Sequence, residues 1–137
     1  MQRTFTILKP DTVKAGNTGA IIDRLIKHGF RICAMKMVHL TRTQAEGFYY
    51  VHKERPFFPS LVAFMTEGPI VPMVLEADNA IEKLRKVMGA TDPAKAEAGT
   101  IRKDFATNIE RNAIHGSDGP DTAAYEIAYF FNRLEIL

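Results

Sequence analysis

The sequence predicts an α+β domain spanning residues 1–137, and two observations predict it. Runs with apolar residues at alternate positions interleave with runs of helical spacing. Their order is β-α-β-α-α-β-α, followed by a long irregular stretch and a last helix. A short fourth strand just before that helix completes a βαββαβ sandwich of ferredoxin-like type, a four-stranded antiparallel sheet with helices packed on it. The composition, 46% hydrophobic and 25% charged, is the ordinary balance of a globular chain with one core.

Each element has its own signal. Arg3 to Leu8 alternates Thr with Phe and Ile and reads as a strand, stopped by Lys9-Pro10-Asp11 because proline donates nothing to a ladder. Ile21, Ile22, Leu25 and Ile26 recur at helical spacing within Thr18 to His28, with Gly29 as the stop. Arg31 to Leu40 reads as the second strand. Thr41 and Gln44 have capping-box spacing, which predicts a helix through Thr43 to His52, broken at Arg55-Pro56. Phe57 to Met65 is the next helix, ended by Gly68-Pro69. Ile70 to Glu76 is the third strand, where Pro72 suggests an edge position or a bulge. Asp78 or Asn79 caps the helix that ends at Gly89. Residues Ala90 to Gly116 show little period, and a stretch of that length is usually functional or partner-facing. Within it, Ala113 to Gly116 is the candidate fourth strand. Asp118-Gly119-Pro120 then starts the last helix, with proline in its first turn.

Several classes of function are excluded early. A formal charge of +2 gives no basic scaffold for nucleic acid. The single cysteine, Cys33, allows no intrachain disulfide and fits a reducing compartment. No apolar run spans a membrane, and Met1 to Thr6 lacks the form of a signal peptide, so the cytoplasm is expected. There is no Walker-type phosphate loop, no G-x-G-x-x-G, no H-E-x-x-H and no zinc-ligand spacing. The two serines, Ser60 and Ser117, lie outside any G-x-S-x-G elbow. Gly16 to Gly19 has the G-x-x-G form of a nucleic-acid backbone clamp, a short pattern of low specificity.

Histidine is then the nucleophile to examine. His28, His39 and His52 end elements and read as capping or surface residues. His115 sits between Ile114 and Gly116, with Ser117 and Asp118 as polar neighbours. On local grounds it serves equally as a turn residue or as a reactive group. A glycine at 116 would let a substrate approach the backbone. A neutral imidazole attacks phosphorus well only with cations to hold the phosphates, and Lys9, Arg85, Arg102 and Arg111 are available. Arg85 taken alone reads as a helix-surface charge. Lys9 is less comfortable in solvent, because it follows an apolar strand and precedes a proline. Of Phe57 and Phe58, one is expected to be exposed, to stack a base or to pack under a loop.

Taken together, "TFTILKPD", "GFYYVHKERPFF", "MGATDPAKAEAGTIRKDF" and "NAIHGSDGP" closely resemble the nucleoside diphosphate kinase family, almost end to end. The resemblance implies ping-pong transfer of the terminal phosphate of a nucleoside triphosphate, usually ATP, to a nucleoside diphosphate through a phosphohistidine at His115. It implies that Lys9 and Asn112 lie near the ribose 3′-hydroxyl, and that Arg85, Thr91 and Arg102 bind phosphate. Tyr49 would sit near the histidine. Phe57 and Ile109 would flank the base, and Ser117 and Glu126 would hold His115. Mg²⁺ is implied on the nucleotide's phosphates rather than in a protein cage. A homo-oligomer, tetramer or hexamer, is implied too, with Pro93 to Phe105 as a plausible contact and Ile136 and Leu137 available to pack on a neighbour. The chain departs from the family at Gly119, where a hydroxyl residue is common, and Asp118 is expected to cap the last helix instead.

Overall fold

The computed structural model describes residues 1–137. Four strands, β1 (Gln2–Leu8), β2 (Arg31–Met35), β3 (Val71–Ala77) and β4 (Ile114–Gly116), form one sheet in the order β2-β3-β1-β4. Every neighbouring pair is antiparallel, as the expected βαββαβ arrangement requires. Helices α1 (Pro10–Lys14), α2 (Thr18–Lys27), α3 (Arg42–Phe48), α4 (Phe58–Met65), α5 (Ala80–Met88), α6 (Ile101–Phe105) and α7 (Pro120–Phe130) complete it.

The sheet carries a core on each face. Leu8, Met73, Leu75 and Ile114 pack with Ile21 and Leu25 of α2 and Leu84 and Met88 of α5. Phe5, Ile7 and Val74 pack with Phe48 of α3 and with Val62, Phe64 and Met65 of α4. This is the period-two alternation of strand side chains, now with both faces covered. It places Ile114 and Gly116 of β4 on one face and His115 on the other.

The structure corrects several boundaries. Lys9-Pro10-Asp11 does end β1, but Pro10 also opens a helical turn, α1, because its fixed φ suits a first helical position. The ladder of β2 stops at Met35 rather than Leu40, leaving one bridge between Val38 and Ile70. Pro72 lies in the interior strand β3, not at an edge. Its carbonyl accepts from Lys36 N–H just past the end of β2, so its missing donor falls where that ladder has run out. The irregularity sits on β2 instead, where Cys33 is the extra residue between Ile32 and Ala34. The Cys33 carbonyl takes the Leu137 N–H, 2.9 Å away, which docks the chain end on β2 while Ile136 packs on the core.

The capping box of Thr41 and Gln44 is present, but α3 ends at Phe48 and a 3-10 turn, Tyr50–His52, follows. Asn79 holds the cap position of α5 at φ +51°, yet its amide bonds Glu82 and leaves the helix backbone to others. The Ile81 N–H goes instead to Gln2 Oε1 of β1. The stretch Ala90 to Gly116 holds more structure than its sequence suggests: a 3-10 turn at Pro93–Lys95 and helix α6, capped by Thr100. Gly16 and Gly19 lie at the junction of α1 and α2, with Gly19 inside the first turn of α2.

Asp118 does not cap α7. Gly119 is the cap residue, in extended backbone at φ −166°, and the hydroxyl comes from inside the helix. Thr122 Oγ1 accepts from the N–H groups of Asp118 and Gly119, at 3.1 and 2.9 Å. Thr122, at the third helical position, thus makes the reach-back half of a capping box and ties the chain ahead of α7 to its first turn. A Cβ at Gly119 would meet nothing within 4 Å. Gly119→Ser is therefore expected to stabilise by only a few tenths of a kcal/mol, and Thr122→Val to cost about 1–2 kcal/mol. Urea midpoints at fixed protein concentration check the pair; a larger effect from Gly119→Ser than from Thr122→Val contradicts this account of the cap.

Candidate active site

His115 faces Ile7 across the β1–β4 ladder and stands within a ring of aromatic edges. Phe48, Phe5 and Tyr49 have centroids 5.7, 6.3 and 6.3 Å from the imidazole. Its Nε2 lies 2.9 Å from Glu126 Oε1, and Ser117 Oγ donates to that same oxygen at 2.6 Å. The carboxylate can only accept, so Nε2 carries the proton and Nδ1 carries the lone pair. Nδ1 has no hydrogen-bond partner in the chain. His115 and Glu126 keep only 19% and 13% of their side-chain surface.

Two cations are buried nearby in the chain's topology. Lys9 follows β1, and its Nζ donates to Asn112 Oδ1 at 2.8 Å, while Asn112 Nδ2 donates to the Ile109 carbonyl. Burial, then the Arg102 guanidinium, pulls the Lys9 ammonium down to about 8, against opposing pulls from Asp11 and Glu110. Arg102 donates to the carbonyls of Asn112, Gly89 and Ile114, at 3.3, 3.1 and 2.8 Å. Burial, then Arg85, lowers its pKa to about 10. These three bonds leave other guanidinium N–H groups unused. Both side chains are thus buried cations with no anion in direct contact, a setting in which a bound phosphate gains most.

The remaining expected residues are spread around this centre. Arg85 is an exposed side chain on α5, and its Nη1 pairs with Asp118 at 2.8 Å. Thr91 is exposed and makes no hydrogen bond. Phe57 and Ile109 are also exposed, while Phe58 is half-buried against the core. Ser60 of α4 donates to Glu110 at 2.6 Å, which holds the segments bearing Phe57 and Ile109 together. The Tyr49 hydroxyl is buried without a partner. Burial, and then the Glu126 charge, pushes its pKa far up, so it stays protonated. Arg111 does not join the site; it is forked onto Glu67 at 2.7 and 3.0 Å and lies over the Phe64 ring.

The other histidines behave as end-of-element residues. His28 bonds the Arg24 carbonyl of α2 and His39 bonds the Thr66 carbonyl after α4; His52 packs between Phe57 and Tyr49. Gly116 has a different reason from the one its sequence position suggests. A Cβ there would lie 2.8 Å from Met88 Sδ and 3.1 Å from Leu84 Cδ2. The glycine admits α5, not a substrate.

Three residues that sequence reasoning missed shape the approach to His115. Ala113 has φ +72° and lies between Asn112 O and Ile114 N, which are joined at 2.9 Å. That is a three-residue γ-turn of the rare, strained hand. Asp11 and Thr12 of α1 bond the N–H and the carbonyl of Ala113. An alanine advertises no positive φ, so only the crowding of polar residues after Lys9 hinted at the arrangement.

A histidine with one ring nitrogen anchored and the other bare, following a segment to which buried Lys9 and Arg102 are bonded, is equipped for phosphoryl transfer. Comparison with known proteins agrees. The family model for nucleoside diphosphate kinase matches residues 2–136. The chain is 61% identical over 137 residues to the nucleoside diphosphate kinase of Desulfosudis oleivorans, covering all of this chain and 99% of that one. It is 59% identical to that of Geobacter sulfurreducens, with both chains fully covered. Among solved structures, the nucleoside diphosphate kinase of Aquifex aeolicus superposes with a TM-score of 0.97 at 47% identity, covering 99% of each chain. That of Halobacterium salinarum, solved with CDP, superposes at 0.95 and 40% identity over 99% of this chain and 91% of that one. The chain belongs to the nucleoside diphosphate kinase family, and it is an enzyme, a phosphotransferase that moves phosphate between nucleotides.

Gly116→Ala is expected to destabilise by about 1–3 kcal/mol through overpacking against Leu84 and Met88. A urea midpoint unchanged from the parent protein would show that α5 has room to shift.

Proposed function

We propose that Nδ1 of His115 carries the phosphoryl group. The observation behind this reading is the Ser117–Glu126–Nε2 chain, which leaves Nδ1 as the bare nitrogen. In the first half-reaction Nδ1 attacks the terminal phosphorus of a nucleoside triphosphate, usually ATP. The N–P bond forms, the bond to the bridging oxygen breaks, and the diphosphate leaves with its electrons. Glu126 stabilises the positive charge that spreads over the imidazole. In the second half-reaction the terminal oxygen of another nucleoside diphosphate takes the group back, which regenerates neutral His115.

The other residues bind and orient. Lys9, Arg85, Thr91 and Arg102 hold phosphates, and Lys9 also neutralises charge on the transferred group. Lys9 and Asn112 reach the ribose 3′-hydroxyl, and Tyr49 offers its unpartnered hydroxyl beside the histidine. Phe57 and Ile109 flank the base. Stacking reads a face that every base has, so it discriminates little among them. Mg²⁺ is taken to arrive on the nucleotide's phosphates, the usual way for an ion that keeps much of its water and favours phosphate oxygens. When bound it neutralises charge on the phosphate oxygens. We further infer that residues 1–137 act as one domain in a cytoplasmic homo-oligomer, tetramer or hexamer. Its support is the outer strand β2, which presents Met35 half-exposed, with Met37 and Leu137 exposed beyond it. No helix is long and apolar enough to cross a membrane.

Incubation with terminally labelled ATP and Mg²⁺ is expected to give an acid-labile, base-stable phosphoprotein whose label passes to added GDP. His115→Ala should lower exchange at least about 10³-fold; label on that variant, or retained exchange, overturns the reading. Lys9 gives a second test. Its ammonium loses the proton as pH rises through about 8, so kcat/KM, which reports the free enzyme, should fall on that alkaline limb. Lys9→Met should lose activity and the limb together. A wild-type profile that stays flat to about pH 9.5 contradicts a role for charged Lys9.

A further inference from the structure

Asp11 lies outside the machinery assigned above, yet its carboxylate reaches the backbone two residues before His115. Oδ2 accepts the Ala113 N–H at 3.0 Å, and the other oxygen, Oδ1, is buried without a partner. The next residue, Thr12, is 2% exposed, and its Oγ1 donates to the Ala113 carbonyl at 2.8 Å. The backbone N–H of Lys9 donates to that carbonyl too, at 2.9 Å. Ala113 is therefore gripped at both of its polar backbone groups by one short turn, Lys9 to Thr12.

The grip falls where the backbone resists. Ala113 sits at φ +72°, with its side chain fully buried. An L-residue in that region is strained and persists only when its surroundings over-determine it. If the turn relaxed, β4 would rotate or slide at its first residue. His115 is the second residue of a strand of three, so little ladder remains to correct the error. Phosphoryl transfer from a misaimed imidazole is slow, because a displacement of about 1 Å can cost on the order of 10²-fold.

We propose that Asp11 is a positioning residue for His115, acting with Thr12 by holding the strained turn at Ala113. This rests on His115 as the phosphoryl carrier. The acceptor oxygen matters in it, and the charge does not. Asp11 also raises the pKa of Lys9, so the rival account is that Asp11 serves only as a counter-charge for that ammonium.

The test is a suppressor experiment in the full-length enzyme. Asp11→Ala removes the acceptor and Asp11→Asn keeps one while removing the charge. Ala113→Gly relieves the strain, because glycine adopts positive φ without a Cβ penalty. The readouts are the single-turnover rate of His115 phosphorylation by ATP, KM, and the thermal midpoint. Asp11→Ala is expected to slow phosphorylation about 10- to 100-fold with KM changed less than about threefold. Asp11→Asn should stay within about threefold of the parent, and adding Ala113→Gly to Asp11→Ala should recover most of the lost rate. Thr12→Val, nearly isosteric, should slow the same step and be recovered the same way; it carries the test if Asp11→Ala does not fold. The proposal is overturned if Asp11→Asn is as slow as Asp11→Ala, if Ala113→Gly recovers nothing, or if the slow variants are slow only in KM. A parent enzyme that never labels on His115 would instead refute the assignment of His115, so the two failures are distinguishable.

Discussion

One carboxylate oxygen, Glu126 Oε1, sets what His115 can do. It accepts from Nε2 and from the Ser117 hydroxyl at once, so it fixes both the tautomer and the tilt of the ring. Much of the structure keeps that oxygen in place. Glu126 lies on α7, whose first turn is secured by Thr122 and whose outer face is tied to α3 by two tyrosines. Tyr125 donates to the Gly47 carbonyl and Tyr129 to the Gln44 carbonyl. Gly47 makes the second bond possible, since a Cβ there would lie 2.5 Å from the Tyr129 hydroxyl. Below the ring, Phe5, Phe48 and Phe130 stack and cross one another, which gives His115 a stiff floor.

The opposite side of the problem is charge. Lys9 and Arg102 are held in a buried setting that disfavours their own charged forms, and Arg85 adds a third cation facing Arg102. The free protein offsets this with neutral acceptors: the Asn112 amide for Lys9 and three backbone carbonyls for Arg102. Only Arg85 has an anionic partner of its own, Asp118, and that pair is exposed and correspondingly weak. In the proposed function, a phosphate chain supplies the negative charge that pairs with these cations, so binding would draw on electrostatics already built into the fold.

How much of this could be read in the sequence depends on the kind of feature. The strand and helix order was legible because period two and helical spacing persist over whole elements. The roles proposed for His115, Lys9, Arg102 and their companions come from several motifs in one order along the chain. Helices α1 and α6 were not, being five residues each, too short for a period to show. The interior place of Pro72 depends on where another strand stops, which no local rule contains. Gly116 was read as room for a substrate, whereas the group that approaches it is Met88 from a distant helix. Gly119 offers no cap side chain, and the hydroxyl that secures the start of α7 is Thr122's, reaching back to the Asp118 and Gly119 N–H groups. The turn at Ala113 was the least visible of all, since its strain is imposed by Asp11 and Thr12 more than a hundred residues earlier in the chain.

In the proposed reaction, Glu126 reserves Nε2 and so directs the phosphoryl group to Nδ1. The most direct measurement is a phosphorus–nitrogen correlation spectrum of the phosphorylated enzyme labelled with ¹⁵N at histidine. A coupling between phosphorus and Nδ1 of His115, with Nε2 still protonated, is the predicted result. A coupling to Nε2, or phosphorus found on oxygen at Ser117, would contradict it.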